Sequence, residues 1–168
     1  IPLEFVKSVK KIAKKNKLRM HLDGARLLNA LVEQEIAPDV YSADFNTVSF
    51  CLSKGMGCPI GSVLLGSEKD IWYARNMRKM LGGGLRQSGM TAVCALVALE
   101  DWEEVLKVDN ANCRWIAKEL NDLQGVSCDV EGVHTNMFSF ILDPKITKKL
   151  DHASLCGVLR EKHDILTF

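Results

Sequence analysis

No two of the six cysteines stand at C-x-x-C spacing. That absence removes a ready zinc site or dithiol redox pair. With several of these cysteines in apolar segments, reduced intracellular thiols are expected rather than a disulfide framework. No apolar run nears the ~20 residues that a membrane-spanning helix needs. The first residues do not have the form of a signal peptide. The expectation is a cytoplasmic protein, or a mitochondrial one that has lost a transit peptide. An excess of one charge is also lacking: the net charge of +1 gives no reason to expect a nucleic acid or an acidic surface as partner. The four histidines share no metal-ligand spacing, so no metal is expected. Internal repeats and low-complexity segments are absent.

What is present fits one domain able to bury a sizeable core. Both ends suggest a fragment, since the chain starts on Ile1 at the head of a helix and stops on the apolar run Ile165-Leu-Thr-Phe168, like the first residues of an unfinished strand. Helical spacing covers residues 2–16, where the basic run Lys7 to Lys17 lies opposite Val6, Val9, Ile12 and Ala13 and reads as a solvated face. It recurs over 25–35, 69–81, 86–105, 110–123 and 152–162. The stretch Met90–Leu99 is apolar nearly all round and is expected to be buried. Trp72, Trp102 and Trp115 fall on helical patterns and read as packing residues. Short apolar runs over 18–22, 47–52, 61–65, 126–130 and 137–142 read as strands. Their alternation with helices predicts an α/β fold with a largely parallel sheet, whose ligands gather beyond the carboxyl ends of the strands.

Two chemically useful residues follow apolar strands directly: Asp23 and Lys54. If those strands are parallel, both side chains point into one region. A partly desolvated lysine has its ammonium form disfavoured, and a neutral amine can attack a carbonyl; the plain alternative is a solvated surface charge. The glycines after Lys54 would let backbone approach a ligand closely. Asp23 before Gly24 and a helix reads first as an N-cap; the functional reading is a carboxylate facing a cationic ring nitrogen. Arg26, about one helical turn on, could bind a carboxylate bidentately or pair with Asp23. Gly82–Gly84 with Arg86 is either a helix C-cap or an anion site of backbone N–H groups and a guanidinium. Gly55, Gly57 and Gly61 miss the dinucleotide-binding spacing, and a strand follows them where that motif has a helix. His21 lies inside the strand before Asp23, which suggests a core or supporting role.

Three segments in register carry a resemblance: His21-Leu-Asp-Gly-Ala-Arg26, Ser49-Phe-Cys-Leu-Ser-Lys-Gly55 and Arg78-Lys-Met-Leu-Gly-Gly-Gly-Leu-Arg-Gln87. Together they resemble the low-specificity L-threonine aldolases, pyridoxal-phosphate enzymes of the aspartate aminotransferase fold type, over about residues 1–142. The resemblance implies part of a large three-layer α/β/α domain over residues 1–125 and the start of a small C-terminal α+β domain over 126–168. It implies pyridoxal 5'-phosphate held by Lys54 as an aldimine, with Asp23 pairing with the ring nitrogen. Arg26 would lie near the cofactor's phenolic oxygen and the substrate carboxylate. Arg86 would line the cofactor and Lys79 the substrate, from the neighbouring subunit of a homotetramer or dimer. The implied reaction is retro-aldol cleavage of L-threonine or L-allo-threonine to glycine and acetaldehyde. An aminotransferase or β-eliminating lyase would use Lys54 and Asp23 equally well. The family's phosphate-binding loop and two site histidines belong upstream of Ile1, and a second arginine downstream of Phe168. On that basis these residues alone are expected to form an inactive fragment.

Overall fold

The computed structural model of the protein describes residues 1–147 and 151–167. These fall into two compact units: Ile1–Ala111 with His134–Asn136, and Asn112–Val133 with the described residues of Met137–Phe168.

In the first unit, helix α1 (Leu3–Lys15) starts directly after Pro2, whose fixed φ suits a helix entrance. It buries Val6 and Ala13, while Lys7, Lys11, Lys14 and Lys15 stay in solvent as the charge pattern predicts. Ile12 is exposed rather than covered. Strand β1 (His21–Asp23) leads into helix α2 (Leu27–Gln34), which buries Leu27, Leu28 and Leu31. A short helix with no expected counterpart, α3 (Pro38–Ser42), begins on a proline and buries Tyr41, whose hydroxyl donates to the carbonyl of Ile1 at 2.8 Å.

Strands β2 (Thr47–Cys51) and β3 (Ser62–Gly66) complete a sheet of order β1-β2-β3. The fold is α/β as expected, with a mixed sheet: β1 and β2 are parallel, β2 and β3 antiparallel. Residues 52–61 are too few for the crossover of a dozen or more residues that a parallel return requires, so the chain folds straight back.

Helix α4 (Glu68–Met80) is capped by Ser67, whose hydroxyl oxygen accepts from the Asp70 N–H. Hydrogen bonds from Arg19 (2.6 Å) and from the Ser67 hydroxyl (2.7 Å) hold the Asp70 carboxyl below the usual carboxylate range. The stability this linkage adds is present at neutral pH and fades as pH falls through the lowered value.

The single helix expected over residues 86–105 is two elements, α5 (Gly89–Ala98) and α6 (Trp102–Asn121), and α6 also absorbs the helix expected over 110–123. Neither glycine nor proline marks the break. The acidic residues Glu103 and Glu104 favour a fresh helix N-terminus there. The expected burial of α5 is not seen: Ala95 is buried, while Met90 is 80% exposed and Val93, Leu96 and Val97 are open too. Trp72 and Trp115 are exposed, and of the three tryptophans only Trp102 packs against the core. That core joins Val6, Leu27, Leu28, Leu31, Tyr41, Val48, Ala95 and Leu106 with three loop residues, Leu52, Met56 and Cys58.

The second unit holds the C-terminal half of α6, an antiparallel pair β4 (Val126–Cys128) and β5 (Phe140–Leu142), and helices α7 (Pro144–Thr147) and α8 (His152–His163). Its small core is Cys113, Ala117 and Val133. Both strands are shorter than their apolar runs. The run at 165–168 forms no strand over 165–167, and Phe168 lies outside the described residues.

Candidate functional site

Asp23 is the last residue of β1, and its register partner on parallel β2 is Ser49. The Gly24 N–H donates to the carbonyl of Ser49 at 2.8 Å. A Cβ on Gly24 would stand 2.8 Å from that carbonyl oxygen and 3.0 Å from Leu27 Cβ, so only glycine lets the chain leave the strand this tightly. Helix α2 then starts from Arg26 with no side-chain cap. The capping alternative for Asp23 therefore fails. Its carboxylate is exposed and has no hydrogen-bond or ion-pair partner among the described residues.

Lys54 lies just past β2, on a loop plugged into the core. Leu52, Met56 and Cys58 are buried, while Ser53 and Lys54 between them are exposed. Three backbone hydrogen bonds brace the loop: Leu52 N–H to Gly61 O at 2.9 Å, Cys58 N–H to Leu52 O at 3.0 Å, and Gly57 N–H to Lys54 O at 2.8 Å. Gly57 sits at φ +67°, the left-handed region that favours glycine. The lysine thus rides on a tethered turn and has no ion-pair partner among the described residues. This explains why an apolar run ends on lysine and then breaks into glycines: the apolar residues anchor the turn, and the glycines shape it.

A buried amide pair stands behind that turn. The Asn29 side-chain NH2 donates to Asn110 Oδ1 at 3.0 Å, and the Asn110 side-chain NH2 donates to the Asn29 carbonyl at 2.9 Å. Both residues are only 2% exposed. A Cβ on Gly55 would lie 2.5 Å from Asn29 Oδ1 and 2.8 Å from Leu106 Cδ2. The Lys54 turn is therefore pressed against α2, the helix that Asp23 and Arg26 lead into. Sequence reasoning passed over both asparagines; the available signal was a polar residue inside the apolar face of α2.

Arg26 is half-buried, and its Nε–H donates to Asn136 Oδ1 at 2.8 Å, across 110 residues of chain. It pairs with neither Asp23 nor any other acid among the described residues. Asn136 had no signal in the sequence. His21 is exposed rather than in the core, and its Nδ1 is hydrogen-bonded to the Thr47 hydroxyl at 2.9 Å.

The triple glycine is a helix C-cap: Gly82 lies at φ +81°, and the Gly83 N–H donates to Arg78 O at 2.8 Å. Lys79 lies along Gly84, where an added Cβ would meet Lys79 Cδ at 2.8 Å. Lys79 and Arg86 are exposed, and no hydrogen bond or ion pair joins either to Asp23, Arg26 or Lys54. The structure thus brings Asp23 and Lys54 to the carboxyl ends of neighbouring parallel strands, with Arg26 at the start of the next helix; Lys79 stands in the last turn of α4 and Arg86 just past the triple glycine. Two grooves lie elsewhere. One, of about 400 Å³, is bounded by Leu31, Ile36 and Trp102; another, of about 450 Å³, by Phe45, Thr47 and Asp70.

A family model described as Beta-eliminating lyase matches residues 1–142. The chain is 41% identical over 147 residues to a probable low-specificity L-threonine aldolase 2 of Arabidopsis thaliana, covering 86% of this chain and 41% of that protein. It is 37% identical over 153 residues to the low specificity L-threonine aldolase of Saccharomyces cerevisiae, covering 88% of this chain and 39% of that one. Among solved structures it superposes on a putative L-allo-threonine aldolase from Listeria monocytogenes with a TM-score of 0.74 at 23% identity, over 83% of this chain and 39% of that one. A putative aromatic amino acid beta-eliminating lyase/threonine aldolase from Exiguobacterium sp. gives 0.73 at 25% identity, over 80% and 38%. The chain spans about two-fifths of the length of these relatives.

Proposed function

Because the chain belongs to the beta-eliminating lyase family, we propose that the whole protein is a pyridoxal-phosphate-dependent aldehyde-lyase. It cleaves L-threonine or L-allo-threonine between Cα and Cβ to glycine and acetaldehyde. The observation that carries this reading is the alignment of β1 with parallel β2, which sets Asp23 and the Lys54 turn at the same end of the sheet. The names of the relatives support the substrate class.

The donor set suits the cofactor: a carboxylate, a primary amine and a guanidinium lie at strand and helix ends, the first two engaged by no other side chain among the described residues. Bound there, pyridoxal phosphate supplies an electron sink, a protonated ring that accepts the electron pair of a breaking bond to the substrate's α-carbon. Lys54 Nζ would hold the cofactor, and the braced turn limits where that nitrogen can be. Asp23 holds a proton on the pyridine nitrogen, because its negative charge favours the protonated ring. Arg26 receives the substrate carboxylate and so sets the angle of the bond to be broken, a gain in orientation. Lys79 and Arg86, tied to none of these three, are assigned to the site of a second copy in a homo-oligomer. A cytoplasmic location and a place in threonine breakdown and glycine formation belong to the same proposal.

Product analysis tests it. The whole protein, incubated with L-threonine and pyridoxal phosphate, is expected to release glycine and acetaldehyde in equal amounts. A 2-keto acid with ammonia, or with an aminated acceptor, would instead assign it to β-elimination or amino transfer.

A further inference from the structure

We propose that Asn136 is the positioning residue for Arg26, and that it commits the two terminal nitrogens of the guanidinium to the substrate carboxylate. The inference rests on the substrate-binding role assigned to Arg26 above. An arginine carries five N–H donors in a rigid planar fork, and a carboxylate can engage it either across Nε and one Nη or end-on across both Nη. Here the Nε–H is taken by Asn136 Oδ1 at 2.8 Å, with both side chains half-buried. The Nε edge is thereby closed to a ligand, and the end-on edge stays open. The same bond fixes rotation of the guanidinium plane, which a long and otherwise free side chain would lose as entropy on each binding event. Residues His134–Asn136 cluster with the first unit although the chain on both sides of them clusters with the second. That local excursion delivers the acceptor to Arg26.

The neutral amide has a further consequence. An aspartate at position 136 would also accept the Nε–H but would compete, as a charge, with the substrate's carboxylate. Asparagine accepts the hydrogen bond and leaves the positive charge of Arg26 unspent.

Four variants of the whole, cofactor-loaded protein test this: Arg26→Leu, Asn136→Leu, Asn136→Gln and the double Arg26→Leu/Asn136→Leu. The probes are glycine affinity by calorimetry, the KM and kcat for L-threonine, and the exchange rate of the Arg26 Nε–H by nitrogen-15 NMR. Asn136→Leu is expected to raise the glycine Kd and the KM about two- to tenfold, the cost of immobilising one long side chain on each binding event, with a smaller change in kcat. The Nε–H is expected to exchange faster. Asn136→Gln, which keeps an amide acceptor, is expected to recover part of the affinity. In the double variant the leucine at 136 is expected to add nothing to the loss from Arg26→Leu. A normal KM in Asn136→Leu beside a raised KM in Arg26→Leu overturns the positioning role, as does a full additive loss in the double variant. A normal glycine Kd in Arg26→Leu overturns the role of Arg26 itself, and with it the inference.

Discussion

Replacing Lys54 with alanine is expected to lower threonine cleavage by the whole protein at least about a thousandfold, the scale on which loss of a covalent catalytic group is felt. The same change is expected to leave the folding stability of the cofactor-free protein within about 0.5 kcal/mol, as for an exposed side chain away from special features. The contrast follows from the turn. Leu52, Met56 and Cys58 anchor it in the core and its braces are backbone hydrogen bonds, so the Lys54 side chain contributes nothing to holding it. Lys54→Arg separates charge from chemistry. Arginine keeps the positive charge but is not deprotonated in proteins, so it cannot attack a carbonyl carbon. It is expected to be as inactive as the alanine variant. Activity in either variant, measured as acetaldehyde release beside an unchanged thermal melt of the cofactor-free protein, would make Lys54 a solvated surface charge.

Gly55→Ala is expected to be the costliest single-methyl change in the loop. Its Cβ would stand 2.5 Å from Asn29 Oδ1 and 2.8 Å from Leu106 Cδ2. Neither neighbour can yield easily. Leu106 is 0% exposed, and Asn29 is held by Asn110 in a buried exchange of hydrogen bonds. Overpacking of this kind costs about 1–3 kcal/mol, and displacing the Asn29 amide adds about 1–3 kcal/mol if its partner is left unsatisfied. Urea denaturation measures the sum. Leu106→Ala introduced alongside is expected to relieve part of the loss, because it vacates one of the two obstructed directions. At Gly57, by contrast, a Cβ meets nothing within 4 Å, so alanine there bears only the left-handed backbone penalty of about 1 kcal/mol. Equal effects at the two glycines would contradict the packing described for the turn. Any surviving Gly55→Ala protein carries a displaced Lys54 and is expected to lose activity beyond its loss of stability.

What could be read from the sequence depended on how far apart the interacting residues are. Helix α1 and strands β1 and β2 follow from local periodicity and composition, and they emerge within a few residues of expectation. Asp23 and Lys54 could be singled out because one ends an apolar strand and the other closely follows one, a local fact. The alternative uses of Asp23 could not be separated locally: α2 begins from Arg26, and only the tight exit at Gly24 reveals that. The direction of β3 was decided by loop length, and the break at 99–101 by charge, both weaker signals than hydrophobic spacing. The expected burial of α5 fails because an all-apolar helix states what it needs but not whether the described residues supply it. Asn29 with Asn110 and Arg26 with Asn136 meet across 81 and 110 residues, so no window of sequence contains either pair.

The central claim is that the Lys54 nitrogen is the point of covalent attachment. Borohydride reduction of the whole protein loaded with pyridoxal phosphate, followed by digestion and mass mapping, tests it directly. The account predicts one pyridoxyl group per chain, on the peptide containing Lys54, and loss of the visible absorption band on reduction. A pyridoxyl group on Lys79 or any other lysine with Lys54 unmodified, or a band that survives in Lys54→Ala, would contradict it.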